Sequence, residues 1–218
     1  MNSPILQLLV LAGIAVFLIL RLKNVLGTRE GFEKPAVPRQ ADVSQRRPDL
    51  SVIEGGPDRD ITDHVDEGSE SAQALAAMKR LEPHFSVSEF IQGARGAYEM
   101  ILLGFERGEL ADIKPFLSEE VYETFAHVVE ARHRQGLSVE AEFMGVRETA
   151  LVEAELLPGN IAEITVRFVG ELVSVVRDSA GEIVEGTPNT PKKQRDVWTF
   201  ARTMGTDDPN WQLVATGG

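Results

Sequence analysis

The hydrophobic period of this chain changes once, at Gly136, and that change restricts the folds open to it. Before Gly136 apolar residues recur every three or four positions, as on one face of a helix. After it they alternate with polar residues, as on strands with one wet face. Helices first and strands after them predict an α+β domain, with a meander of bent antiparallel strands wrapped around the helices as a cone with an apolar interior.

The helical half is punctuated by caps. Ser86-Val87-Ser88-Glu89 matches a capping box, with Phe85 and Phe90 spaced as a hydrophobic staple. The face Phe90, Ile91, Ala94, Ala97, Tyr98, Ile101, Leu102 and Phe105 follows, and Gly108 is placed to end the helix. Gly93, Ala94, Gly96 and Ala97 thin this helix. Because an interior glycine costs roughly 1 kcal/mol relative to alanine, the thin stretch predicts close approach by another backbone. Residues 109–114 predict a further helical turn ended by Pro115. Ser118 caps a second long helix, with Glu119 and Glu120 in its first turn and Arg132 and Arg134 in its last. Upstream, residues 70–82 predict a short helix whose narrow stripe, Leu75, Met78 and Leu81, suits a lid or edge.

In the second half, Val139, Ala141 and Phe143 alternate with Glu140 and Glu142, and Ala150, Val152, Ala154 and Leu156 alternate with Glu153 and Glu155. Gly145 marks a bulge in this run and Gly170 a bend in the next. Pro158-Gly159-Asn160 is a turn, and further strands follow at residues 164–168, 172–176, 182–185, 197–202 and 211–215.

The other end of the chain reads differently. Ile5 to Leu20 is apolar except for Gln7 and Gly13, and residues 4–22 predict a single transmembrane anchor near the lower length limit of about 17 residues. Arg21, Lys23 and Arg29 follow the run, which argues against a cleaved signal peptide and places the downstream domain in the cytoplasm. These three cations also predict a weak contact with anionic lipid. Residues 23–69, rich in proline and glycine, predict a disordered linker with a mean reach of about 35 Å. Within this spacer Leu50, Val52 and Ile53 form an apolar island that could bind a partner. The folded domain is expected over residues 70–218.

A net charge of −12 argues against nucleic-acid binding, and the absence of cysteine removes thiolate metal sites and cysteine nucleophiles. His127 and His133 are six residues apart, the wrong spacing for a shared metal face on a helix, and no phosphate loop or nucleophile elbow occurs. No cofactor or metal is expected. An acid–base site would need a carboxylate within reach of Tyr98 or Tyr122, and Asp196 is the acid nearest in kind.

The run Phe85-x4-Phe90-x2-Gly93-Ala94-x2-Ala97-Tyr98-x2-Ile101-x3-Phe105-x2-Gly108 resembles the signature of the Tim44-like domain family. Leu117-x3-Val121-Tyr122-x2-Phe125, Arg132-x3-Gly136, Trp198-Thr199-Phe200-x-Arg202 and Asn210-Trp211-x-Leu213 continue the likeness over residues 81–215. Gly108-Glu109 stands where the family often has Gly-Asp. The resemblance implies a nuclear-transport-factor-two-like cone and a non-enzymatic adaptor that binds protein partners, translocase or chaperone components, or lipid, including cardiolipin. The single N-terminal run is closer to a bacterial, single-pass inner-membrane relative than to the mitochondrial inner-membrane protein. Under the adaptor reading Tyr98, Phe105, Phe125, Phe143, Phe168 and Trp198 line the cone interior. The alternative is a small-molecule or acyl-chain binder, or an isomerase- or hydrolase-type enzyme.

Overall fold

The structure, a computed structural model, describes residues 56–217. The expected anchor (4–22), the lipid-facing Arg21, Lys23 and Arg29, and most of the expected linker lie outside the described residues. Among the described residues no helix is long and apolar enough to cross a membrane.

The element order is helical, then all-strand, and the architecture is α+β. Helices α1 (Arg59–Thr62), α2 (Glu70–Leu81), α3 (Val87–Arg107) and α4 (Leu110–Ile113) lead through a 3-10 turn (Lys114–Phe116) to α5 (Glu119–Arg134). Strands β1 (Ser138–Leu157), β2 (Ile161–Arg177), β3 (Ile183–Gly186), β4 (Lys192–Thr203) and β5 (Gln212–Gly217) follow. They pair antiparallel in the order β1-β2-β4-β5, with β3 added to the far end of β2.

The sheet is bent where the chain has local reasons to bend. Register shifts in the β1–β2 ladder fall at Phe143/Gly145, Val146/Glu148 and Leu151/Glu153, and Gly145 lies at φ 136°. The bulge predicted at Gly145 is present. The bulge at Leu151/Glu153 was not legible, and it turns Val152 out to solvent while Leu151 packs inward. One extra residue inverts every side chain beyond it, so strict alternation fails there. The β1–β2 turn carries Gly159 and Asn160 at positive φ, 84° and 61°, the left-handed pair a tight hairpin needs. Gly170 does not break β2, which pairs with β4 without interruption from Ile161 to Leu172. Its role is steric: a Cβ there would lie 2.9 Å from the Tyr98 hydroxyl oxygen.

Helix ends follow their sequence signals. Ser86 accepts the Glu89 N–H at 3.3 Å and Ser118 accepts the Val121 N–H at 3.3 Å. Gly108 caps α3 in the left-handed region, and after α5 the Gly136 and Leu137 N–H groups donate to the His133 and Arg132 carbonyls, a Schellman ending. A carboxylate from outside α3 takes two further free N–H groups of its first turn. Asp60 accepts the Val87 N–H at 2.8 Å, the Ser88 N–H at 2.9 Å and the Ser86 hydroxyl at 3.1 Å, so a carboxylate sits on the positive end of the α3 dipole.

This contact carries folded structure upstream of α2. Residues 56–69, read as linker, fold onto the domain: Ile61 is buried, Asp60 pairs with Lys79 at 2.7 Å, and His64 shares a hydrogen bond with Ser88 at 3.1 Å. Burial alone would raise the Asp60 pKa, but the bonds from Lys79, Ser88 and Val87 outweigh it and hold the carboxyl well below the usual range. Helix α2 is likewise no lid. Leu75 and Met78 are fully buried, and the Ser71 hydroxyl accepts the Ala154 N–H of β1 at 3.0 Å. Arg95 and Arg107 of α3 donate to the Val146 and Ala141 carbonyls, each at 3.1 Å, so helix side chains cover polar groups along β1.

Candidate functional site

The six aromatics expected to line an interior cavity fall into two packed groups. Tyr98, Phe168, Trp198 and Phe143 form the first. Tyr98 stacks on Phe168 at 4.4 Å with the rings 10° apart, and the edges of Trp198 (4.8 Å) and Phe143 (6.0 Å) meet it. Tyr98 and Phe168 have no exposed surface. Phe105 and Phe125 form the second group at 4.4 Å, with the Arg132 guanidinium 4.7 Å from the Phe105 ring. These contacts fill the space between helices and sheet, and none of the six borders the apolar opening lined by Phe90 and Trp211.

The Tyr98 hydroxyl donates to Asp196 Oδ2 at 2.6 Å, and Gln194 Nε2 donates to Oδ1 at 3.2 Å. Burial first, then the adjacent carboxylate, pushes the phenol pKa far above its usual value, so Tyr98 is a permanent donor. The acid sought beside Tyr98 is thus present, but it serves to satisfy a buried phenol within packed aromatics. Tyr122 has the Lys114 ammonium 4.6 Å above its ring. Among the described residues no group of three or more His, Asp or Glu side chains could hold a metal ion.

The opening lies at the other end of α3. Phe90, Gly93, Ala94 and Ala97 form one stripe of the helix and the floor of an apolar groove of about 420 Å³. Phe85, Phe116, Phe200 and Trp211 wall it, and Glu82, His84, Glu89 and Asn210 stand at its edge. Trp211 is 4.6 Å from Phe90 and 6.0 Å from Phe85, so the two staple residues meet the same indole. The volume falls within the roughly 300–1,000 Å³ of ligand pockets.

The small-residue stretch of α3 therefore has a different cause from the one its composition suggested. No backbone approaches Gly93 or Gly96: a Cβ at either would meet nothing within 4 Å. The close approach occurs one helical stretch later, at Gly104, where a Cβ would lie 2.6 Å from Ile113 Cγ2. Glycine and alanine at 93, 94 and 97 keep the groove open.

Arg202 borders the groove on the β4 side. Its side chain is 9% exposed, its guanidinium pairs with the Glu82 carboxylate, and it lies 5.4 Å from the Trp211 ring. Nη1 donates to the Asp208 carbonyl at 3.3 Å, and Nε is buried with no partner. Burial would raise the Glu82 pKa, but the Gly205 N–H and Arg202 overcome this and lower it. Sequence reasoning had placed Arg202 and Trp211 only in a strand motif. Their juxtaposition with Phe85 and Phe90 depends on the turn at residues 204–211, which has no periodic signal.

Comparison with known proteins supports the motif reading. The profile described as Tim44-like domain matches residues 71–218. The human mitochondrial import inner membrane translocase subunit TIM44 is 27% identical over 150 residues, covering 67% of this chain and 33% of that protein. The Arabidopsis thaliana subunit TIM44-1 is 20% identical over 193 residues, covering 84% of this chain and 40% of that protein. The chain thus spans about a third of the length of the first of these relatives. The intermembrane space region of the chloroplast protein ARC6 aligns with a TM-score of 0.36 at 10% identity, over 66% of this chain and 94% of that one. With its signature helix, its sheet-end motif and a profile match over most of its length, the chain belongs to the Tim44-like domain family.

Proposed function

We propose that this protein is a non-enzymatic, membrane-associated adaptor in protein translocation, with a nuclear-transport-factor-two-like cone whose apolar groove receives an apolar segment of a protein partner. The observation that carries this reading is the groove over Phe90, Gly93, Ala94 and Ala97, kept open by small residues and walled by aromatics. An aromatic wall with a few polar groups at its edge gives an anchoring side chain a desolvated seat. The relatives named as inner membrane translocase subunits supply the setting, and the apolar run at residues 5–20 the attachment, as a single-pass anchor in a bacterial inner membrane or its mitochondrial counterpart. Anionic lipid at Arg21, Lys23 and Arg29 adds to that attachment. Catalysis is disfavoured because the Tyr98–Asp196 pair faces packed aromatics and lies away from the groove.

Affinity capture of the tagged full-length protein in detergent tests this. A translocase or chaperone component should be recovered above the level of a control comprising residues 1–69; its absence would sink the adaptor reading. Gly93→Leu sharpens the result. Leucine removes the interior-glycine penalty, so the variant should be as stable as the wild type or up to about 1 kcal/mol more stable. The side chain occupies the groove, and recovery of the partner should fall at least tenfold. Thermal denaturation beside capture separates the two effects.

A further inference from the structure

The two long borders of the sheet are finished differently. We propose that residues 192–196 of β4 are a docking edge for an extended acidic segment of a partner protein, which adds to the sheet as a strand with its carboxylates on the outer face. This edge shares no residue with the groove, and the proposal does not depend on it.

The β1 border is closed. Met144, Arg147 and Val152 are extra residues that interrupt its ladder with β2, and the side chains of Arg95, Arg107 and Ser71 bond to its backbone at Val146, Ala141 and Ala154. Bulges and covering side chains keep a strand edge from pairing. On the opposite border β4 pairs with β2 from Lys192 onward, but β5 accompanies it only from Val197, opposite Gly217. β3 joins the same side of β2 farther along, because β1 occupies the other side throughout. Among the described residues the backbone of 192–196 makes no hydrogen bond outside the β2 ladder. Alternate N–H and C=O groups over about 17 Å of strand therefore stand ready to accept another.

Charge selects the kind of strand. The chain carries a net −12, yet Lys192, Lys193 and Arg195 lie within four positions of this edge, all exposed. None of the three makes an ion pair among the described residues. Glu171, across the ladder from Lys193, lies in its field but bonds Arg147 at 2.6 Å, and apolar Leu172 and Val169 stand opposite Lys192 and Arg195. Lysine on an edge guards against pairing with a second copy, because like charges would then face each other. The same cations attract an acidic strand, in which every facing pair is of opposite sign.

Alternation narrows the partner further. Asp196 reaches inward to the Tyr98 hydroxyl and Gln194 shares its side, so Lys193 and Arg195 point outward. The docked strand thus needs an acid at every second position and neutral residues between them. An uninterrupted acidic run would set a carboxylate beside Asp196.

Hydrogen exchange and peptide binding on the full-length protein in detergent test this. The labelled probe is Thr-Glu-Val-Glu-Thr-Glu, blocked at both ends. It should slow exchange of the edge-facing amides in 192–196 and bind at least tenfold more tightly than Thr-Thr-Val-Glu-Glu-Glu, its equal in composition. N-methyl groups on the two central amides of the probe, one on each of its edges, should also cost at least tenfold, because they keep the charge and remove the ladder. Lys193→Gln combined with Arg195→Glu should weaken the probe at least tenfold. Both side chains are exposed, so the melting temperature should stay within about 2 °C of wild type. Equal affinity for the N-methylated or the reordered peptide would reduce the contact to plain charge attraction and overturn the proposal. A Kd weaker than about 1 mM would do the same. Slowed exchange at residues 85–97 in place of 192–196 would assign the probe to the groove and sink the edge.

Discussion

Phe168→Ala will lower the unfolding free energy by about 3–5 kcal/mol, the usual range for truncating a fully buried phenylalanine. Phe168 has no exposed surface, stacks on Tyr98 at 4.4 Å, and lies 6.0 Å from Trp198 and 6.5 Å from Phe200. These neighbours come from α3 and β4 and cannot collapse into the space without moving the helix relative to the sheet. The cost therefore contains a cavity contribution besides lost transfer energy. For a domain of this size each kcal/mol is worth about 2–4 °C, so the melting temperature should fall by about 6–20 °C. Urea unfolding of both proteins measures the difference directly. A loss below about 1 kcal/mol would mean that Phe168 lines an open pocket, and would restore the ligand-binding interior that the packing argues against.

Asp60→Ala should have the next largest effect, about 2–3 kcal/mol at neutral pH. It removes an acceptor from two backbone N–H groups at the α3 N-terminus and breaks the 2.7 Å pair with Lys79. Capping carboxylates are worth about 0.5–2 kcal/mol and charged hydrogen bonds about 1.5–3, and the two overlap here. Asp60→Asn keeps one oxygen acceptor and should lose only about 1 kcal/mol.

The pH dependence follows from the direction of the shift. The folded-state pKa of Asp60 lies below its unfolded value, so its stabilisation is fully present above the unfolded value of about 3.9. It is lost as the pH falls through the folded value. The gap between wild type and Asp60→Asn should therefore narrow below about pH 4. Glu82, shifted the same way, adds to the acid sensitivity of both proteins. Denaturation midpoints at pH 7 and pH 3 provide the check. If Asp60→Ala stays within 0.5 kcal/mol of wild type at pH 7, the segment ahead of α2 contributes nothing to the domain.

The two substitutions probe parts of the molecule that differed in how readily they could be read. Tyr98 and Phe168 were identifiable as inward-facing from period alone, because burial on a helix or strand follows from which residues share a face. What period left open was whether they enclosed space or filled it. That depends on ring-to-ring distances set by three separate elements, and only the assembled core shows the stack. Asp60 was harder to find. It sits in a polar, proline-rich stretch with no periodic signal, and its partners lie about 26 residues away.

The groove shows the same limit from the opposite side. Glycine and alanine at 93, 94, 96 and 97 were conspicuous in sequence, and the inference that something must compensate for the thin helix was sound in energy but wrong in place. The tight contact falls at Gly104 against Ile113, whereas Gly93 and Gly96 face open space. A small side chain serves either close packing or an open surface, and composition is identical in the two cases.

By itself the sequence determined the order of helices and strands, the caps at Ser86, Gly108, Ser118 and Gly136, the Gly145 bulge, the hairpin at residues 158–160 and the family. All of these rest on local chemistry: hydrophobic period, φ restrictions and short-range hydrogen bonds. Only the tertiary structure decided that residues 56–69 belong to the domain, that Val152 turns outward, that the Tyr98 cluster is solid, and that Phe85, Phe90, Phe200, Arg202 and Trp211 enclose a groove. Those facts are set by contacts between residues distant in the chain, where close packing selects one arrangement among many that the same local preferences allow.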